Sequence, residues 1–117
     1  MTIGFIATGD EIIHGDTLNT NSHNIAHILC SEGMSLGYHM MCSDKEQDMV
    51  DALEFMGKHH DTVILIGGLG PTTDDRTRFA LAQYLGCPLV EHQDAVDHIH
   101  QRLKRVGVTL HPGNMQQ

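Results

Sequence analysis

Thr62-Val63-Ile64-Leu65-Ile66-Gly67-Gly68-Leu69-Gly70-Pro71-Thr72-Thr73-Asp74-Asp75-Arg76-Thr77 is the stretch whose reading decides the fold. Its first five residues are an almost wholly apolar run ended by glycine, the pattern of a short strand buried on both faces. Residues 76–85 behind it read as a helix. The loop between them therefore lies at the carboxyl end of a strand, where open α/β sheets place their ligands. Glycine at 67, 68 and 70 lets the backbone come close to a ligand. Thr72 and Thr73 add hydroxyls, and the start of a helix favours anions. Asp74 and Asp75 would repel a bare phosphate. A divalent cation reverses that sign, because hard cations take carboxylate and phosphate oxygens together. The combination points to a metal-assisted phosphate or pyrophosphate site. A dinucleotide fingerprint is excluded because Thr73 stands where the third glycine belongs, and a P-loop because no Gly-Lys-Ser/Thr closes the loop. The competing structural reading is a tight turn with Asp74 or Asp75 capping the helix. It accounts for one Asp and one Gly and leaves the other residues of the loop unexplained.

Outward from this loop, the chain of 117 residues is long enough for one domain with one core. Fifteen acidic against seven basic residues give a net charge of −8, which argues against a nucleic-acid partner. There is no long apolar stretch, and the chain runs from Met1 directly into a strand-like segment, so a cytoplasmic protein without membrane association is expected. Cys30, Cys42 and Cys87 are odd in number and widely spaced, which fits reduced thiols better than disulfides or zinc. Among the ten histidines, His23 and His27 have helical spacing but lack the Glu of a His-Glu-x-x-His site.

Residues 2–8 read as a central strand that runs into a second small-and-acidic loop, Gly9-Asp10-Glu11, with 12–18 continuing as loop. Asn19-Thr20-Asn21-Ser22 has the side chains that cap a helix. One cap suffices for one helix, which leaves Asn19 and Asn21 available to a ligand. Alternating Leu36, Tyr38 and Met40 predict a strand over 35–42. Ser43 and Glu46 have capping-box spacing before a helix whose stripe is Met49, Val50, Leu53 and Met56 and which ends near Gly57. Asp44, just past that strand, is within reach of the same rim as Asp75. Leu81, Tyr84 and Leu85 are expected to face inward from the helix behind the Gly-rich loop, which Gly86 and Pro88 end. Residues 88–90 read as a short edge segment. Val96, Ile99, Leu103 and Val106 predict an amphipathic helix over 94–106. This alternation is that of an α/β sandwich with a mostly parallel sheet, its acidic loops on one rim.

Thr8-Gly9-Asp10-Glu11-Ile12-Ile13 with Gly15 and Asn19-Thr20-Asn21, followed by residues 67–77, resembles the molybdenum-cofactor biosynthesis domain family of the MogA/MoeA/MoaB type, and within it the N-terminal domain of the CinA kind. Asn114-Met115-Gln116-Gln117 is similar to the family's Asn-x-x-Gln segment. The resemblance implies a three-layer α/β/α sandwich. It implies that Gly67, Gly68, Gly70, Thr72 and Thr73 bind phosphate, with Gly9, Asp10, Glu11, Asn19 and Asn21 contributing to ligand binding. Asp75 would be catalytic with Asp44 as a second such residue, and Asp74 and Asp75 would hold a divalent metal, magnesium or similar. The implied ligand is a nucleotide or pterin phosphate. The implied activity is metal-dependent hydrolysis of the pyrophosphate of ADP-ribose or a similar dinucleotide. Adenylyl transfer to molybdopterin and a non-catalytic binding module are the alternatives. A homo-oligomer is expected. The family domain continues beyond the last residue of this chain with a further strand, so residues 1–117 are expected to be one domain lacking its C-terminal part.

Overall fold

The computed structural model describes residues 2–15 and 18–107. The elements follow the order β1 (Thr2–Thr8), α1 (Asp10–Ile13), α2 (Thr20–Ser31), β2 (Ser35–Cys42), α3 (Glu46–His59), β3 (Thr62–Ile66), α4 (Thr77–Leu85) and α5 (Gln93–Arg105). The three strands form one sheet in the order β2-β1-β3, and both pairings of β1 are parallel. The step from β1 to β2 and the step from β2 across to β3 run in opposite directions along the sheet. Right-handed crossovers then put α2 on one face and α3 on the other, which makes the α/β/α layering. The Asn114–Gln117 likeness falls outside the described residues.

Alternation along β1 divides its side chains between two layers. Ile6 enters a cluster with Met49, Val50, Ala52, Leu53 and Met56 of α3 and Ala80 of α4, with Met40, Val63 and Leu65 packed against it. Ile3, Phe5 and Ala7, also buried, point to the opposite face. The two methionines of the predicted stripe, Met49 and Met56, are fully buried and fill the space between helix and sheet.

Several local expectations change. Residues 10–13 are a short helix rather than loop. The start of α3 is not a capping box: its N-cap is Lys45. Ser43 accepts the Lys45 N–H and donates to Asp48, while Glu46 is drawn to Arg76 at 3.4 Å. That helix also runs past Gly57 to His59. The buried face of α4 is Thr77 and Ala80 with Leu81 beside them, while Leu85 is 59% exposed. Residues 88–90 form no strand, since Pro88 lacks an N–H and Leu89 and Val90 stay in solvent. α5 is helical as expected but buries none of its residues.

At the far end of the sheet from the Gly-rich loop, the β1–β2 register slips: Ile3 pairs Leu36 but Phe5 pairs His39. Gly4 thus faces both Gly37 and Tyr38, a β-bulge. The Tyr38 N–H donates to His60 Nε2 at 2.9 Å. That bond fixes the proton on Nδ1, which donates to the Met56 carbonyl at 3.0 Å. The ring lies against two glycines: a Cβ on Gly4 would come within 2.9 Å of Nδ1, and one on Gly37 would overlap Nε2. Gly37→Ala is therefore expected to destabilise the fold by about 1–3 kcal/mol through overpacking. The loss should shrink by on the order of 1 kcal/mol in a His60→Ala background, where the ring is gone. Urea denaturation of both single variants and the double variant measures this; strictly additive losses would show that His60 and Gly37 do not act as a pair.

Candidate functional site

All three strands end at one rim because all three are parallel. The Gly9 N–H donates to the Cys42 carbonyl at 3.1 Å, which joins the exits of β1 and β2. Beyond it, Asp10 and Asp44 bind each other reciprocally. The Asp10 N–H donates to Asp44 Oδ2 at 3.2 Å, and the Asp44 N–H donates to Asp10 Oδ1 at 3.0 Å. Each carboxylate satisfies the other's backbone amide, so the two loops lock together while their charges face one another.

Burial first, and then the charges of Asp10, Glu11 and Asp74, push the Asp44 carboxyl above its ordinary range, against a partial opposing pull from the Asp10 N–H. Carboxylates from the loops after β1, β2 and β3 thus share one neighbourhood. Cys42, beside them, is buried, and its thiol is pushed up to about 11 by burial, with Asp48 and Asp44 adding to the effect. It stays protonated at neutral pH and supplies neither a nucleophile nor a thiolate ligand.

The Gly-rich loop is shaped by its two consecutive left-handed residues, Gly67 at φ +100° and Gly68 at φ +67°. A Cβ on Gly67 would lie 2.6 Å from the Thr8 carbonyl oxygen, so glycine is required there by space as well as by φ. Three successive loop carbonyls are bound by the first two residues of α4. Thr77 Oγ1 donates to Gly67 O at 2.7 Å, the Thr77 N–H to Gly68 O at 3.3 Å, and Arg78 Nη1 to Leu69 O at 3.0 Å. The amides of Gly68 and Leu69 make no hydrogen bond among the described residues. A loop with its carbonyls bound and neighbouring amides free has the makings of an anion-binding concavity.

Asp74 and Asp75 part company. Asp75 turns back onto its own loop, where Oδ2 accepts from Thr72 Oγ1 at 2.6 Å and from the Thr72 N–H at 3.0 Å. The Thr72 hydroxyl and amide, followed by the Gly70 amide and the nearby Arg78 charge, hold its carboxyl below the usual carboxylate range. Asp74 is exposed and faces Asp44 electrostatically. Neither caps α4: its N-cap is Arg76, with no side-chain cap bond. Arg76 instead lies over the Phe79 ring, 3.8 Å from its centre. Thr73 is exposed at the loop's outer side. Asn19 is the N-cap of α2 yet makes no side-chain cap bond, and Asn21 is exposed in the first turn. Both amide side chains thus remain available. Thr77 and Arg78 were not among the expected site residues; the signal was a hydroxyl and a cation in the first turn of the helix that follows the glycines.

The donors at the rim are all hard oxygen, the type a divalent cation takes, and the charges of Asp10, Glu11 and Asp74 each reach Asp44. Among the described residues no three His, Cys, Asp or Glu side chains form a group that could hold a metal ion.

The family model described as "Probable molybdopterin binding domain" matches residues 4–116. A CinA-like protein of Geotalea daltonii is 38% identical over 117 residues, covering 100% of this chain and 28% of that protein. The chain thus spans less than a third of the length of that relative. Among solved structures, CinA of Thermoplasma acidophilum, a protein described as of unknown function, superposes with a TM-score of 0.90 at 28% identity, over 99% of this chain and 68% of that one. The tungsten cofactor synthesizing protein MoaB of Pyrococcus furiosus superposes with a TM-score of 0.63 at 22% identity, over 91% of this chain and 64% of that one, a likeness of fold.

The two shifted carboxyls predict opposite responses to pH. Folding raises the Asp44 value, so its contribution to stability is present at acid pH and is lost as pH rises through the raised value. Folding lowers the Asp75 value, so its contribution is present above the ordinary carboxylate range and is lost as pH falls through the lowered value. Without added divalent metal, Asp44→Asn is expected to raise Tm at pH 7, and Asp75→Asn to lower it. Both differences should be small, since solvent screens these groups, and should fade toward pH 3. Thermal melts across this range check the signs; a stabilised Asp75→Asn at pH 7 would contradict the account.

Proposed function

The chain belongs to the molybdopterin-binding domain family and has CinA-like proteins among its relatives, and on that premise we propose that its rim binds the phosphate end of a nucleotide or pterin and hydrolyses a dinucleotide-like pyrophosphate such as that of ADP-ribose. The observation that carries this reading is the pairing across the rim of unlike groups: amides at Gly68 and Leu69 without partners among the described residues on one side, and Asp44 with the charges of Asp10, Glu11 and Asp74 acting on it on the other. A pyrophosphate accompanied by a divalent cation satisfies both, since the anion meets the amides and the cation relieves the carboxylates.

In this reading the Gly-rich loop receives the phosphoryl oxygens and stabilises the charge that builds on them as water attacks. Asp44 and Asp74 would hold the cation, with Asp75 and Asp10 assisting. Bound there, the cation would supply neutralisation of the phosphates and a lowered pKa for attacking water. Asp44, crowded by burial and by the charges of Asp10, Glu11 and Asp74, is the carboxylate that a cation would relieve most. Asn19 and Asn21 offer amide donors and acceptors for the sugar or ring beyond the phosphates. Hydrolysis is ranked above adenylyl transfer because a rim built of solvated carboxylates admits water, whereas transfer to a pterin must exclude it. The Asp75 bonds to Thr72 favour a second reading, a binding module in which this carboxylate organises the loop and no turnover follows.

The expected outcome is slow release of AMP from ADP-ribose that requires magnesium or manganese, and no adenylylated product from ATP and molybdopterin. Chromatography of both reactions, using this chain and one extended to the length of its relatives, checks it. Adenylylated pterin without AMP from ADP-ribose would reverse the ranking. Saturable ADP-ribose binding with neither product would support the binding module.

A further inference from the structure

Thr77 stands at the point where the Gly-rich loop, β1 and α3 meet. It is 3% exposed. Its hydroxyl donates to Gly67 O at 2.7 Å and its amide to Gly68 O at 3.3 Å. A single residue therefore binds both carbonyls of the left-handed glycine pair. Thr8 Oγ1, at the end of β1, lies 3.5 Å from the Thr77 hydroxyl and 3.5 Å from Ile66 O, so its proton can serve either. Met49 Sδ of α3 lies 3.8 Å from Thr77 Oγ1 on the core side. A Cβ added to Gly68 would overlap the Thr77 hydroxyl and come within 3.2 Å of Thr8 Oγ1.

Thr77 opens α4, so no helical carbonyl lies three or four residues earlier to take its hydroxyl. Thr77 instead reaches ten residues back to Gly67. That choice has a consequence for the loop. With the Gly67 and Gly68 carbonyls held by Thr77, the orientation of the peptide planes is set, and the Gly68 and Leu69 amides are left without partners among the described residues. Without the hydroxyl, the half-buried Gly67 carbonyl would lose its partner, and rotating that peptide toward solvent would be the cheapest remedy.

We propose that Thr77 is a positioning residue that holds the Gly67–Gly68 turn in its anion-receiving form, with Thr8 coupling that turn to the rim loop that begins at Gly9. The proposal deepens the phosphate-binding reading of the same loop and rests on it for the ligand, but its structural half stands on the Thr77 contacts alone.

The test compares the parent with Thr77→Val, which keeps shape and removes the hydroxyl, and Thr77→Ser, which restores it. Amide hydrogen exchange of Gly70, Thr72 and residue 77 in the free protein reads the loop, and calorimetry with ADP-ribose plus magnesium reads binding. Thr77→Val should exchange faster at these three amides, with β1 and α3 unchanged, and should bind ADP-ribose about tenfold more weakly, the loss expected for one hydrogen bond that orients a charged ligand's donors. Thr77→Ser should match the parent in both. Parent-like binding by Thr77→Val, exchange raised throughout the core, or a Thr77→Ser variant as weak as Thr77→Val would overturn the proposal. Should Thr77→Val fail to fold, Thr77→Ala, which relieves crowding, is read by the same criteria. A parent that binds no ADP-ribose would sink the phosphate reading, while the exchange pattern would still decide whether Thr77 sets the loop.

Discussion

β1 is buried on both faces and lies between two parallel neighbours, and the rest of the structure follows from that placement. A strand so buried must give all its backbone polar groups to ladders on both sides. β2 and β3 supply them, and because both run parallel to β1 the three chains leave the sheet at the same edge. Parallel strands need long crossovers, which here become α2 and α3 on opposite faces. The clustering of Thr8, Cys42 and Ile66 at one rim is thus a product of topology. The loops that follow inherit that proximity whatever their sequences are.

What those loops carry is costly to the fold. Asp44 is partly buried, and the charges of Asp10, Glu11 and Asp74 press on it as well. Only part is recovered by the reciprocal amide bonds between Asp10 and Asp44. The glycine pair is a second expense, since left-handed residues surrender much backbone freedom and bring no side chain to pack. Like charge and left-handed glycines gathered at one place, beside a core that is otherwise ordinary, are the features on which the proposed ligand site rests.

The elements set by repeating pattern were legible in the sequence. Thr62–Ile66 is a strand because four apolar residues after Thr62 end at a glycine, although it is half-buried at the end of the described sheet and not buried on both faces as expected, and Ser35–Cys42 is one because its apolar residues alternate. The stripe Met49, Val50, Leu53 and Met56 is the buried face of α3. The rim was legible too, as acidic and glycine residues following strands. The details that failed depend on partners distant in sequence. Glu46 looked like the second half of a capping box until Arg76, thirty residues on, competed for it. Leu85 looked like core, yet α4 turns the small side chains of Thr77 and Ala80 inward against α3. No local pattern reveals that His60 would serve the bulge at Tyr38, because the bulge arises only when β1 and β2 pair.

Asp74 and Asp75 show how far neighbouring residues of one type can diverge. The turn closed by the Asp75 N–H on Thr72 O at 3.1 Å sends Asp75 back over the loop and leaves Asp74 facing the rim. Asp75 thereby organises Thr72 and Gly70, and such a role looks incompatible with holding a cation. A carboxylate, however, has two oxygens and roughly four lone-pair directions. Both Thr72 donors converge on Oδ2. Oδ1 takes neither of them, and in the proposed reading it would meet the cation or a water between cation and loop. Organising the loop and assisting at the rim therefore need different atoms of the same side chain. The lowered Asp75 value follows from the Thr72 bonds, whereas Asp44, crowded by burial and by like charge, is shifted the other way.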